Sequence, residues 1–199
     1  MPPSYDHAYL DATTLDVLIS ELLVATCDGC DPELGGRITE LLSQLRRQLG
    51  MDLVFVSEFK DGQRVFRFVE GAEAAEALGI HAGGAAPLEQ SYCQRVVQGR
   101  LPELVHDAET HRQSAGLPDT PFRVGAHLST PVLLSDGRVY GTLCCFSTQP
   151  NPSLRAADLS RLKGCARLVA RKVETSAARG ATIPTGFRDT QVDWPALDP

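Results

Sequence analysis

Basic charge, aromatic side chains and long apolar runs are all in short supply in this chain. Lys and Arg number 19 against 25 Asp and Glu over 199 residues, which removes a general electrostatic grip on nucleic acid as the basis of function. No apolar run approaches the roughly 18–20 residues needed to cross a bilayer. The opening Met1-Pro2-Pro3-Ser4-Tyr5-Asp6 lacks a charged n-region followed by an apolar h-region, so no secretory signal is expected and the cytoplasm is. Only 6% of the residues are aromatic, yet 43% are apolar, a share that suits a folded core and excludes a wholly disordered chain. A second C-x-x-C is missing as well. Cys27-Asp28-Gly29-Cys30 stands alone in a turn-like stretch, open to reading as a redox pair, half a zinc site or two loop cysteines. The other four, Cys93, Cys144, Cys145 and Cys165, lie in apolar, patterned segments, where a free thiol behaves as a small hydrophobe. No metal ligand set is assigned.

What is present is a change of period. Leu15, Leu18, Ile19, Leu22 and Leu23 form a one-sided helical stripe, and Leu34, Ile38, Leu41, Leu42, Leu45 and Leu49 form a second, closed by Gly50. Residues 53–59 and 64–70 then read as strands joined at Asp61-Gly62, a hairpin signal. Residues 71–87 are Ala- and Gly-rich and read as a loop, 89–98 as a short helix, and Leu104-Val105-His106 as a brief strand. Residues 107–123 form a long polar connection, a length that is usually functional. A second hairpin spans 125–147 around Asp136-Gly137. Ser153 is placed to cap a final helix with a buried stripe of Leu162, Cys165, Val169 and Val173. Residues 177–199 read as a tail, with Phe187 and Trp194 as possible anchors. Two antiparallel hairpins with helices on one face predict an α+β sandwich.

Several segments, in order, resemble the GAF domains, small sensory modules related in shape to PAS domains. The strongest are Gly125-Ala126-His127-Leu128-Ser129-Thr130-Pro131-Val132 and Asp136-Gly137-Arg138-Val139-Tyr140-Gly141-Thr142-Leu143-Cys144-Cys145-Phe146, supported by Ser91–Val97 and by Leu104-Val105-His106-Asp107-Ala108. The resemblance covers residues 34–176, leaving 1–33 as an N-terminal extension with one amphipathic helix. It implies a GAF/PAS-like central antiparallel sheet of five to six strands flanked by N- and C-terminal helices. Between sheet and loop it implies a pocket for a small molecule. The terminal helices are expected to build a homodimer or to meet a partner signalling protein. Nothing resembles an appended kinase, cyclase, phosphodiesterase or DNA-binding output domain.

Subclass markers narrow the ligand without naming it. The Asn-Lys signature of cyclic-nucleotide-binding members is missing, since the only Asn is Asn151. The Cys-His dipeptide of bilin-binding members is missing too. Ser91-Tyr92-Cys93-Gln94 does not match the Gly- and Cys-rich stretch of the free-methionine-sulfoxide reductases that share the fold.

Pocket candidates are Tyr92, Cys93, His106, Asp107, His111, Phe122, Thr130, Cys144 and Phe146. Cys93 reads as a pocket thiol or a buried packing cysteine. His106 reads as a ligand-binding imidazole or a strand-end residue, and Asp107 as a pocket residue or a cap. His111 is a haem-ligand candidate only if its loop folds inward. The facing of residues around His127 is open: Thr130 on the pocket side would send His127 and Ser129 the other way. No catalytic residue and no cofactor is assigned. The leading expectation is a non-enzymatic sensory module. A thiol-based reductase using Cys93 with a second cysteine, or a haem or tetrapyrrole sensor using His106 or His111, are the alternatives. Residues 1–100 carry 8 basic and 15 acidic side chains, and 101–199 carry 11 and 10. The basic final helix reads as a solvated charged face, or as one that meets an acidic partner or the acidic N-terminal half of another subunit.

Overall fold

The change of period near residue 50 is where helices give way to sheet in the computed structural model, which describes residues 12–25 and 34–178. Cys27, Cys30, Phe187 and Trp194 lie outside the described residues. Helices α1 (Ala12–Ala25) and α2 (Leu34–Gln48) come first. α2 stops where Gly50 adopts a φ of 59°. The Gly50 and Met51 amides donate to the Arg47 and Arg46 carbonyls, each at 3.1 Å, and so satisfy the last acceptors of the helix.

Strands β1 (Leu53–Lys60) and β2 (Gln63–Glu70) follow. Their turn residues Asp61 and Gly62 have φ of 51° and 74°, the two positive values that a tight hairpin turn of this twist requires. The chain continues through α3 (Ala72–Ala77), β3 (Ala85–Pro87), a 3₁₀ turn at Leu88–Gln90, α4 (Tyr92–Val97) and β4 (Leu104–Val105). A 3₁₀ turn at Ala108–His111 opens the long connection. Strands β5 (His127–Leu133) and β6 (Val139–Phe146) make the second hairpin, and α5 (Ala156–Ala178) closes the described chain.

Three local expectations are corrected. Residues 71–87 are not simply a loop: Ala72–Ala77 is a short run of helix formers, and Ala85–Pro87 pairs with Gln63–Val65 at the sheet edge. The helix expected over 89–98 is shorter, because Ser91 Oγ accepts the Gln94 amide at 3.1 Å and starts it there. Ser153 does not cap α5. Its hydroxyl donates to Asn151 Oδ1, and the Asp158 carboxylate accepts the Arg155 amide at 2.8 Å instead.

All neighbours in the six-stranded sheet, ordered β3-β2-β1-β6-β5-β4, are antiparallel. The fold is α+β. Alternation along each strand sends side chains to two separate cores. On one face Val54, Val56, Leu128, Val132, Leu143 and Cys145 meet α1, α2 and α5 through Leu15, Ile19, Leu41, Leu45, Leu162 and Leu168. α1 belongs to this layer. Arg161 grips Asp16 with two contacts of 2.9 and 3.2 Å, and a Cβ on Gly164 would stand 2.7 Å from Ile19 Cγ2. Lys163 pairs with Glu103 at 2.5 Å. Two basic residues of α5 thus meet acids of their own chain. Among the described residues, no helix is long and apolar enough to cross a membrane.

β6 approaches β1 closely at Gly141, where a Cβ would overlap the Ser57 carbonyl oxygen. Gly141→Ala is expected to force the two strands apart and to cost about 2 kcal/mol or more. Gly36→Ala, on α2 with open space around it, is expected to be neutral or to gain up to about 1 kcal/mol. Urea unfolding midpoints of the two variants check this, and equal midpoints would contradict the assigned approach.

Candidate functional site

The second core lies on the face away from α1, α2 and α5. Phe55 on β1, Phe66 on β2 and Phe146 on β6 project there, and α4 with the chain leading into β5 covers them. Phe55 meets Phe66 edge-on at 5.1 Å and Phe146 at 6.3 Å. Phe122, near the end of the long connection, stacks on Phe146 with centroids 5.9 Å apart and planes 11° apart. The connection is also tied at its ends. Ala108 N–H donates to the Gly125 carbonyl at 2.7 Å, and Asp107 meets Arg123 at 3.2 Å. Together they close a pocket over a cavity of about 50 Å³, lined by Arg64, Ser91, Tyr92, Cys93, Thr120 and His127 within this aromatic frame.

Polar groups converge at the floor. Cys93 Sγ lies 3.2 Å from Cys144 Sγ, and Cys144 Sγ lies 2.8 Å from Ser129 Oγ. Arg64 Nη1 donates to Cys93 Sγ at 3.6 Å. The Arg64 guanidinium also stands over the Phe66 ring, 4.7 Å from its centroid, a contact worth about 0.5–2 kcal/mol according to its exposure. Cys93 and Cys144 are completely buried and His127 nearly so. Neither Arg64 Nε nor His127 Nδ1 has a hydrogen-bond partner.

The two thiols are driven apart in acidity. Hydrogen bonding from Cys144 holds Cys93 well below the usual thiol range, with His127 and Arg64 adding to the effect and burial opposing it. Burial pushes Cys144 well above that range, and the neighbouring Cys93 charge adds to it. The directions make Cys93 the more acidic member of the pair and Cys144 the less acidic. Burial pushes Cys165, on the helix face, up to about 12, against a backbone hydrogen bond that lowers it.

A family profile described as the GAF domain matches residues 36–174. The chain belongs to the GAF domain family. Among solved structures it is similar to the GAF domain of an Acinetobacter phosphoenolpyruvate-protein phosphotransferase, at 17% identity over 83% of this chain and 93% of that one, with a TM-score of 0.61. It is similar to a free methionine-R-sulfoxide reductase from Neisseria meningitidis, solved with its substrate, at 17% identity, 90% and 99% coverage and a TM-score of 0.60. The phycocyanobilin-bound GAF domain of a cyanobacterial phytochrome matches at 14% identity, 86% and 98% coverage and a TM-score of 0.58. Identities this low speak for the fold alone. No curated protein matches the chain.

In this GAF fold Tyr92, Cys93, Phe122 and Phe146 line the pocket, and Cys144 lies against Cys93 beneath it. Four other candidates are elsewhere. Thr130 faces the helices, where its hydroxyl donates to Glu103 Oε1 at 2.7 Å, because it shares the parity of Leu128 and Val132. His106 is exposed, with Nε2 3.0 Å from the Leu154 carbonyl, and ties β4 to the turn before α5. Asp107 caps the following 3₁₀ turn by accepting the Glu109 amide. His111 is half-buried within that turn and does not line the pocket. Neither His106 nor His111, the haem-ligand candidates, lines this pocket.

Residues missed at the sequence level are Arg64, Ser129 and His127. The hairpin alternation of 64–70 was a usable signal for Arg64. The facing of His127 and Ser129 rests on strand register alone.

A thiol with a depressed folded value stays ionised where an ordinary one, near pH ~8.5, is protonated. Its stabilising share is present above that ordinary value and is lost as pH falls through the folded one. Alkylation of Cys93 by a small neutral reagent, followed by peptide mapping, is expected to keep its rate well below that pH. Arg64→Met is expected to move the loss of rate to higher pH. Identical pH profiles in the two proteins would contradict the assigned electrostatics.

Proposed function

We propose that this chain is a cytoplasmic sensory or regulatory GAF module that takes a small molecule beneath residues 107–123 and acts in signal transduction through dimerisation or a partner protein. The observation that carries this reading is the convergence of unsatisfied polar groups in a half-open aromatic frame. Arg64 lines the cavity, with Nη1 donating to Cys93 Sγ and Nε buried without a partner. A planar guanidinium fork suits a carboxylate or another acceptor-bearing small molecule. Small-molecule sites are usually ~300–1,000 Å³, so a cavity of about 50 Å³ must widen for all but the smallest occupant.

That widening supplies a signal. The Phe122–Phe146 stack is worth about 0.5–1.5 kcal/mol beyond its buried area, and a ligand preferring the wider state by a similar amount shifts the population severalfold. β5 supports transmission outward. It shows His127 and Ser129 to the pocket and Leu128 and Val132 to the helix layer, and α5 packs along it.

Native mass spectrometry of the purified protein is expected to show a small-molecule adduct on a dimer or a partner complex. Hydrogen exchange at residues 107–123 is expected to slow with the ligand present, and Arg64→Met to weaken binding at least about tenfold. A bare chain whose loop exchange is unchanged by a panel of small carboxylates and anions would defeat the reading.

One observation favours a second reading, a thiol reductase: the 3.2 Å approach of Cys93 to Cys144. The Cys93 thiolate would attack a sulfoxide sulfur and take its oxygen, leaving the thioether and a sulfenic acid. Cys144 would displace water from that acid to form a disulfide, and an added dithiol would restore both thiols. Dithiothreitol-dependent turnover of free methionine sulfoxide, lost in Cys93→Ser, is the expected result. No turnover by the wild type ends this reading.

A further inference from the structure

We propose that Cys93, His127 and Cys144 form a three-ligand site for one zinc-class divalent ion, with a fourth position open to the pocket. One ligand atom from each residue lies within 4.8 Å of the other two. They come from three elements, α4, β5 and β6, so no spacing in the sequence announces them. Around a tetrahedral ion at ~2.3 Å from sulfur and ~2.0–2.1 Å from nitrogen, ligand atoms stand roughly 3.3–3.8 Å apart. The sulfurs are 3.2 Å apart, so an ion needs them to open by about half an ångström. A disulfide needs them to close by more than about 1 Å, to ~2.05 Å. Between the two sulfurs, the smaller movement is the one toward an ion.

A separate observation points to a ligand here. His127 Nδ1 is buried without a hydrogen-bond partner, a costly state unless a ligand satisfies it, and the His127 side chain already stands near enough to Cys93 to help hold its thiol acidic. The shell around the sulfurs suits thiolate ligands. Ser129 Oγ stands 2.8 Å from Cys144 Sγ, and Arg64 Nη1 donates to Cys93 Sγ, the kind of support that orients metal ligands and tunes their charge. Two thiolates cancel the charge of the ion, which keeps a buried centre affordable only with a soft or borderline metal and excludes magnesium and calcium as occupants. Cys93 and His127 both border the cavity of about 50 Å³, space for a water or a small donor at the fourth position. Binding releases the thiol protons, so affinity falls as pH is lowered.

This site goes beyond the sensory reading and fails separately from it. An organic ligand that protects residues 107–123 without metal would leave that reading standing whatever happens here. The test is an anaerobic titration of the reduced full chain with cobalt(II), a coloured stand-in for zinc. One equivalent per chain is expected, with the visible bands of a tetrahedral ion and thiolate charge transfer, bleached by zinc. Cys93→Ala, Cys144→Ala and His127→Gln are each expected to weaken binding at least about a hundredfold. Cys165→Ala, buried on the helix face, is expected to leave it unchanged. Circular dichroism matching the wild type confirms that each variant is folded, and zinc shielding Cys93 and Cys144 of the wild type from alkylation gives a readout independent of any variant. Absence of the bands in the folded wild type, or bands that survive both cysteine substitutions, overturns the proposal.

Discussion

The antiparallel pairing of β6 between β1 and β5 is the constraint on which both cores depend. Cys144 and Cys145 are neighbours in the chain, and the two-residue period of a strand sends them to opposite faces. Both are completely buried, so the strand is covered on each side. Its register sets Cys144 opposite Phe55 on one neighbour and Ser129 on the other. Slipping either pairing by one residue would move thiols, aromatic rings and aliphatic side chains to the wrong face at once. Gly141 holds this arrangement at the far end of the strand, because only a missing side chain lets the Ser57 carbonyl approach.

From that register follows the division of labour between faces. The helix side is a mainly aliphatic layer in which some polar groups are paired, as in Thr130–Glu103–Lys163, while Gln44 Oε1, Arg46 Nε and Tyr140 OH are buried without a partner. The opposite side keeps Arg64, His127 and two thiols in an aromatic frame, with some of their hydrogen-bonding capacity unspent. Natural interiors rarely leave such groups without partners. Two of them, Arg64 Nε and His127 Nδ1, belong to residues that line the cavity beneath the residue 107–123 connection.

The same strands connect the two faces. His127 and Leu128 are adjacent on β5, one bordering the cavity and the other packed toward the helices. β5 packs against α5, whose Arg161 holds α1, and close-packed layers transmit strain rather than absorb it.

Local chemistry determined a good deal of this protein from the sequence alone. Helical stripes ending at Gly50, the Asp61-Gly62 and Asp136-Gly137 hairpins, the α+β class and the GAF family were legible there, because each rests on contacts between residues close in the chain or on motifs in fixed order. Cys93, Phe122 and Phe146 were legible as pocket candidates for the same reason. Only the tertiary structure decided the edge strand Ala85–Pro87, the helix-facing side of Thr130, the outward placement of His106, and the meeting of Arg64, Cys93, His127 and Cys144. Those depend on register, and register is fixed by pairing between segments dozens of residues apart. Fifty-one residues separate Cys93 from Cys144, and no local pattern along that stretch can specify a 3.2 Å contact.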